Sequence, residues 1–288
     1  MDGVESLTAG IDWLSGTMQS DEGDVARWRE NAMQLLREQV SAGNKVEART
    51  LYGYDGFLAG GAFVGSNESR IYVQFAGGIA DAAFTRLYSE HMHISRIDLQ
   101  VTAKYVQYTA DVVDRAYDGA DIVNRSLASS RRRKLVVYRG NDGGATLYIG
   151  SPTSEQRGRL YNKEVQSERP EHARCWRFEV VYRNDFAGQV GTALRKYPDA
   201  IIARICDAVG AWYTARGVVV PWSVRDANAA LPRVRRDPTD IERQLWWLST
   251  QVRPVVRHLI DRGYTDVVQS LLFGDGDWAF SAPSKRTK

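Results

Sequence analysis

Through residue 183, short runs in which polar and apolar residues alternate are separated by runs with helical spacing. Alternation with period two marks a half-buried strand, and apolar residues at i, i+3 and i+4 mark an amphipathic helix. Residues 11–17 (IDWLSGT) therefore predict a strand, and residues 22–42 predict a helix. Val25, Trp28, Ala32, Leu35, Leu36 and Val40 form its apolar stripe, and Gly43-Asn44 ends it. Residues 51–78, rich in glycine and tyrosine, predict antiparallel strands joined by tight turns. Residues 96–102 (RIDLQVT) predict a strand with Ile97, Leu99 and Val101 on a core face and Asp98, Gln100 and Thr102 on a polar one. A helix over roughly 109–129 follows, then a short strand at 135–138 and a turn at Asn141-Asp142-Gly143-Gly144.

The stretch 146–183 then holds three strand-like runs, at 147–150, 158–163 and 175–183. Alternation puts Arg159, Tyr161 and Lys163 on one face of the middle run. In the last run Trp176, Phe178, Val180 and Tyr182 share an apolar face, and Arg177, Glu179 and Arg183 share the other. Beyond it the chain reads as helical. Leu194, Ile201, Ile202, Ile205, Val209 and Trp212 mark a helical stretch over 191–216. Residues 217–238, rich in proline and arginine, read as a linker. Thr239 and Glu242 make a capping box that opens a helical region over 239–280, with Pro254 a kink or an end. A disordered tail is expected at 281–288. The fold class is α+β, with a first domain over 1–216.

Two passages parallel one another. Ile11-Asp12-Trp13-Leu14 matches Ile97-Asp98-Leu99-Gln100, and each is followed by a threonine and a helix. Gly65-Ser66 with Arg70-Ile71-Tyr72 matches Gly150-Ser151 with Arg159-Leu160-Tyr161. This predicts two related strand–helix–strands units, over 8–80 and 93–186, whose sheets join. In that alignment Gln74 stands where the second unit has Lys163. Chance similarity between short α+β segments is the alternative.

Composition narrows the partners. Of 288 residues 43% are hydrophobic and 25% charged, so the chain is globular rather than disordered. Lys plus Arg total 38 against 35 acids, a net charge of +3, so any nucleic-acid contact must come from local patches. Cys175 and Cys206 form no disulfide framework or metal spacing, which fits a reducing, cytoplasmic compartment. The early acids Asp2 and Glu5 fit no signal peptide, and no run approaches the ~20 apolar residues of a membrane span.

Within this frame Tyr161 is the first chemical candidate. A phenol titrates near ~10 and needs help to become a nucleophile. Arg159 and Lys163, one strand step either side, supply positive charge for attack by tyrosine oxygen on a phosphodiester. The alternative is a strand tyrosine with charged neighbours capping a sheet. Asp98 and Glu179, each on the polar face of its strand, suit a hard divalent cation that polarises a phosphoryl oxygen. Salt bridges to Arg96, Arg177 or Arg183 are the alternative. His91 and His93 match a histidine–hydrophobic–histidine metal pair, but Asp98 points the other way in a continuous strand unless the chain bends near Ser95, so both read as loop residues leading into the strand. Arg131, Arg132, Arg133 and Lys134 with Arg125 offer charge to a DNA backbone, or a solvated helix end. The tryptophans could stack on bases, but most suit a core.

The motifs R-I-D-L at 96–99, Y-I-G-S at 148–151, R-L-Y-N-K at 159–163 and W-R-F-E at 176–179, with I-D-W-L-S at 11–15, occur in an order and spacing that resembles the Rep-trans family. These are rolling-circle replication initiators of plasmids and filamentous phages. The resemblance spans roughly 11–183, and the helical C-terminal part looks like the phage-type members. It implies an origin-specific single-strand DNA endonuclease and transferase. Tyr161 would form a 5′-phosphotyrosine link, and the freed 3′-hydroxyl would prime synthesis. Mg²⁺ or Mn²⁺ would lie on Asp98 and Glu179, while Arg159, Lys163 and Arg177 would hold the phosphate and Arg183 would touch DNA. Origin DNA, a host helicase and polymerase and a second copy of the chain are the implied partners, in a bacterial host cell. The implied fold is α+β with curved antiparallel sheets. Two departures stand out: Asn162 replaces the usual Asp, and Gln166 stands near an expected acid, with Glu164 and Glu168 beside it. A relaxase for conjugative transfer uses the same chemistry, and a non-catalytic origin-binding regulator would keep the fold with a broken site.

Overall fold

The computed structural model describes residues 3–19, 25–88, 92–107, 109–167, 169–226 and 252–266, with a few neighbouring positions in the C-terminal stretch. The chain divides into two compact units, 1–233 and 234–288. The first half of the larger unit runs β1 (Val4–Gln19), α1 (Val25–Ser41), β2 (Val46–Leu51), β3 (Tyr54–Ala59), β4 (Ala62–Ser66), β5 (Arg70–Ala76) and α2 (Ile79–Leu87). The second half runs β6 (His93–Tyr105), α3 (Val112–Ser126), β7 (Leu135–Arg139), β8 (Ala145–Ile149), β9 (Gln156–Asn162), α4 (Lys163–Ser167), β10 (Cys175–Arg183) and α5 (Asn184–Arg195), and α6 (Ile201–Thr214) follows.

Among the described residues the strands form one ten-stranded antiparallel sheet, in the order β2-β3-β4-β5-β1-β6-β10-β9-β8-β7. Read outward from the centre, each half gives the same sequence of strands. This order sets β5 against β10 and β4 against β9, one strand away from the alignment suggested by the Gly-Ser and Arg-x-Tyr motifs. Thr17 and Thr102 stand opposite Tyr72 and Arg177 respectively. Those two stand opposite Gly65 and Tyr161. Gly65 therefore holds the place that Tyr161 holds in the second half, and Gln74 corresponds to Glu179 rather than to Lys163.

One face of the sheet carries the core. Trp28 and Leu35 of α1, Ala83 and Phe84 of α2, Val113 of α3, Val190 of α5 and Val209 of α6 merge with Leu14, Phe75, Leu99, Leu160 and Phe178 into a single cluster through both halves. Alternation along the strands sends Asp98, Glu179, Tyr161 and Tyr72 to the other face.

Some boundaries differ from the sequence expectation. The stretch over 191–216 forms two helices, because Pro198 opens a 3₁₀ turn (Pro198–Ala200) between α5 and α6. Proline has no N–H to continue α5. The expected linker does not begin at 217. Val218 and Trp222 are buried, and Trp222 Nε1 donates to Cys206 O at 3.0 Å while its ring meets Phe178 edge-on at 5.1 Å. Residues 227–243, with the Thr239–Glu242 capping box and Arg233, Arg235 and Arg236, lie outside the described residues, as does the tail at 281–288. In the smaller unit, Pro254 sits in the first turn of α7 (Arg253–Asp261), where its missing N–H costs nothing. Among the described residues no helix is long and apolar enough to cross a membrane.

Behind β9, α6 lies directly on the backbone because Gly158 has no side chain. A Cβ there would meet Trp212 Cζ3 at 2.4 Å and Tyr213 Oη at 3.3 Å. The same helix fixes the strands that carry Arg159 and Glu179. Trp212 Nε1 donates to Gln156 Oε1 at 3.0 Å, and Tyr213 Oη donates to Glu179 O at 3.1 Å. Gly158→Ala should push α6 off the sheet and destabilise the protein by about 1–3 kcal/mol, read as a lower urea midpoint.

Candidate active site

Seven polar side chains are buried among the described residues, and five of them, Ser15, Asp98, Thr102, Arg177 and Glu179, sit on the uncovered face. Burying charge is costly unless it is paired, so this concentration needs a specific arrangement. Pairing supplies it. Arg96 holds Asp98 in a two-pronged contact, Nε to Oδ1 at 2.9 Å and Nη2 to Oδ2 at 2.5 Å. Arg159 Nη2 donates to Glu179 Oε2 at 2.6 Å. Arg177 donates through Nε to Thr102 Oγ1 at 3.0 Å and through Nη1 to Asp12 Oδ1 at 2.7 Å.

Strand register brings these groups to one tyrosine. Tyr161 lies opposite Arg177, and Arg159 opposite Glu179. The Tyr161 hydroxyl donates to Glu179 Oε2 at 3.5 Å. Arg159 Cζ stands 4.7 Å from the centre of its ring and Lys163 Nζ 5.8 Å. Lys163 is not on the strand as its spacing suggests. β9 ends at Asn162, whose Oδ1 accepts from Val165 N at 3.3 Å and caps α4. The asparagine that replaces the usual acid thus turns the chain and starts the helix at Lys163. Lys163 Nζ also donates to Gln166 Oε1 at 3.0 Å.

The electrostatics run against the simple expectation of an activated phenol. Burial, and then the charge of Glu179, push the Tyr161 hydroxyl well above its ordinary range, although Arg177 and Arg159 oppose them. Burial pushes Glu179 up to about 7, and Asp98 and Asp12 add to the shift while Arg159 opposes it. Asp98 is likewise raised by burial, against its bonds from Arg96. Lys163 is lowered by burial and by Arg177. The resting site therefore holds a protonated tyrosine beside a carboxylate close to its own midpoint.

Other candidates lie apart or serve the fold. Arg183 Nη1 donates to Pro152 O and Ser154 O at 2.6 and 3.0 Å, tying the turn before β9. Arg131, Arg132 and Lys134 are exposed on the connection from α3 to β7, and Arg133 N donates to Asn124 Oδ1 at 2.7 Å. Glu164 Oε2 accepts from Arg174 N at 2.8 Å and so serves the entry to β10. His93 is not in a loop before the strand but opens β6, opposite Thr17; it is exposed and lines a groove with Asn184, Gly188 and Thr192. His91 and Glu168 lie outside the described residues.

Sequence reasoning missed Asp12 and Thr102 as members of this cluster, and offered Arg96 only as a salt-bridge partner, the place it takes on Asp98. The signal for Asp12 was present in the repeated Ile-Asp pair at 11–12 and 97–98. Each half sends its aspartate to the same patch. As for a cation, Asp98 and Glu179 are buried hard-oxygen donors of the kind Mg²⁺ and Mn²⁺ prefer. Among the described residues no group of three His, Cys, Asp or Glu side chains forms a metal cluster.

Residues 92–272 match the family model Rep_trans, described as replication initiation factor. Among solved structures, the chain is similar to the rolling circle replication initiator protein from Geobacillus stearothermophilus. That match has 20% identity and a TM-score of 0.51, and covers 79% of this chain and 93% of that one. No curated protein matches.

The raised Glu179 has a thermodynamic consequence. Its folded value of about 7 lies above the ordinary 4.5, so the folded state holds a proton that the unfolded chain has lost. Stability should therefore fall as pH rises from about 4.5 to 7. Glu179→Gln should remove roughly 1–3 kcal/mol of that decline, measured by urea unfolding at pH 5 and 7.5.

Proposed function

Since the chain belongs to the Rep_trans family of replication initiation factors, we propose that it starts rolling-circle replication by nicking one strand of an origin, with Tyr161 as nucleophile. The gathering of Arg159, Arg177 and Glu179 around Tyr161 on the sheet face opposite the core, with Lys163 beside it at the start of α4, carries this reading. The fold it shares with the rolling circle replication initiator from Geobacillus stearothermophilus supports it. A non-catalytic regulator would be free to lose these side chains, and all of them are present in this sequence.

In the proposed reaction Tyr161 Oη attacks the scissile phosphorus. The bond from phosphorus to the 3′ oxygen breaks, and the 5′ phosphate remains on the tyrosine. The phenol proton has an acceptor in place at Glu179 Oε2, 3.5 Å away. A carboxylate near its midpoint can accept a proton at neutral pH. Lys163, lowered by burial and Arg177, is a ready proton donor to the departing 3′ oxygen. Arg159 and Arg177 present guanidinium groups suited to phosphate oxygens. Mg²⁺ or Mn²⁺ held by Asp98 and Glu179 would offset their negative charge and polarise the phosphate. The freed 3′-hydroxyl would prime synthesis by a host polymerase after a host helicase opens the duplex.

The test uses single-stranded oligonucleotides from the replicon that encodes the chain, with Mn²⁺, followed by denaturing electrophoresis. A protein–DNA adduct should form. Tyr161→Phe should reduce it to background while leaving DNA binding within about twofold, because only one hydroxyl is lost. Glu179→Ala should abolish the metal-dependent cleavage. An undiminished adduct in Tyr161→Phe would move the nucleophile elsewhere, with Tyr148 on the neighbouring strand next in line.

A further inference from the structure

The first half of the sheet lacks the acid–tyrosine set, yet its uncovered face is not bland. Tyr72, on β5, lies on the same face as Gln74 and opposite Thr17. Tyr54 stacks on it with ring centres 5.2 Å apart and 23° between planes. Tyr52 meets it edge-on at 5.7 Å, and buried Phe63 backs it at 6.0 Å. Arg49 and Arg70 are exposed, and register places both on this face.

Tyr52 is the telling residue. It forms, with Gly53, the two-residue turn between β2 and β3, and both have positive φ, 52° and 80°. Such turns take asparagine or glycine readily, and a bulky residue there is an outlier. The ring is also 79% exposed. A tyrosine that is neither needed for the turn nor buried in the core implies a use for its surface.

We propose that Tyr52 and Tyr54, backed by the buried ring of Tyr72, form a stacking platform for unpaired bases, with Arg49 and Arg70 for the adjoining phosphates. It would hold the strand that flanks the nick. The platform lies diagonally across the same face from the candidate active site: Tyr72 is four strands from Tyr161 in the sheet order, and register sets them level with Thr17 and Thr8 of β1, a path of roughly 30–35 Å. Between them Arg96 stacks on Trp13 at 4.4 Å, so cations and rings continue across the seam. Aromatic stacking tolerates any base, so the platform would add affinity without reading the origin sequence. The strand's identity as substrate rests on the function proposed above.

Fluorescence anisotropy with Tyr161→Phe protein tests this without cleavage. Two single-stranded oligonucleotides are compared, one covering the nick with about four nucleotides on each side and one with about sixteen. Tyr52→Asn and Tyr54→Leu should each weaken binding of the long strand about tenfold and leave the short one unchanged. Tyr52→Asn should keep or raise the melting temperature, since the turn accepts asparagine. Equal effects on both strands, or none on the long one, would overturn the platform. So would unchanged DNA binding together with altered sedimentation, which would assign the rings to a protein contact. A chain that binds the long strand through these tyrosines but forms no adduct would keep the platform and overturn the nickase.

Discussion

The antiparallel pairing of β1 with β6 joins the two halves and decides where each acid lies. Thr8 stands opposite Thr102 and Trp13 opposite Asp98, with a shift of register between Ile11 and Trp13. The extra residue at that shift is Asp12. A bulge re-aims a side chain, and Asp12 reaches over β6 to Arg177 on β10 at 2.7 Å. The first half thus contributes a ligand to the charge network of the second. Loss of the seam would separate the halves and leave Arg177 buried without its acid.

The site works as a set of coupled pairs rather than as isolated residues. Three acids and three arginines alternate across β1, β6, β10 and β9, each acid held by one guanidinium. Removing one partner from a buried pair leaves an uncompensated charge, typically at a cost of about 3–5 kcal/mol. Burial first, and then the charge of Glu179, keep the tyrosine protonated within this network. In the reaction proposed above, a bound strand and a cation would have to shift that balance, because the unliganded site favours the phenol.

Much of this was readable in the sequence because local patterns set it. Alternation in 175–183 assigned the faces of β10 residue by residue, and the strand around Asp98 emerged with its polar face. What the sequence did not show depends on long-range register. Arg96 is one of three arginines that the sequence offers to Asp98 and Glu179, and only register puts its guanidinium on Asp98 and that of Arg159 on Glu179. The short α4 is too brief for periodicity, and Asn162 gave only a departure from a motif where the structure shows a helix cap. The first repeat's alignment slipped by one strand because short Gly-Ser and Arg-x-Tyr matches carry less information than hydrogen-bonded order. Trp222 reads as part of a linker by composition, yet an indole N–H with a partner at Cys206 O and a phenylalanine face places it in the core.

Among the described residues the order of strands also leaves the sheet with two outer margins, β2 and β7. Unpaired margins are templates for further strands, and a sheet joined through both would grow without closing. β2 is exposed along almost its whole length and carries Glu47 and Arg49. At the opposite margin Arg139 ends β7 and is paired with Asp114. Charge on these outermost strands opposes sheet-to-sheet polymerisation, a hazard that a closed barrel would not face.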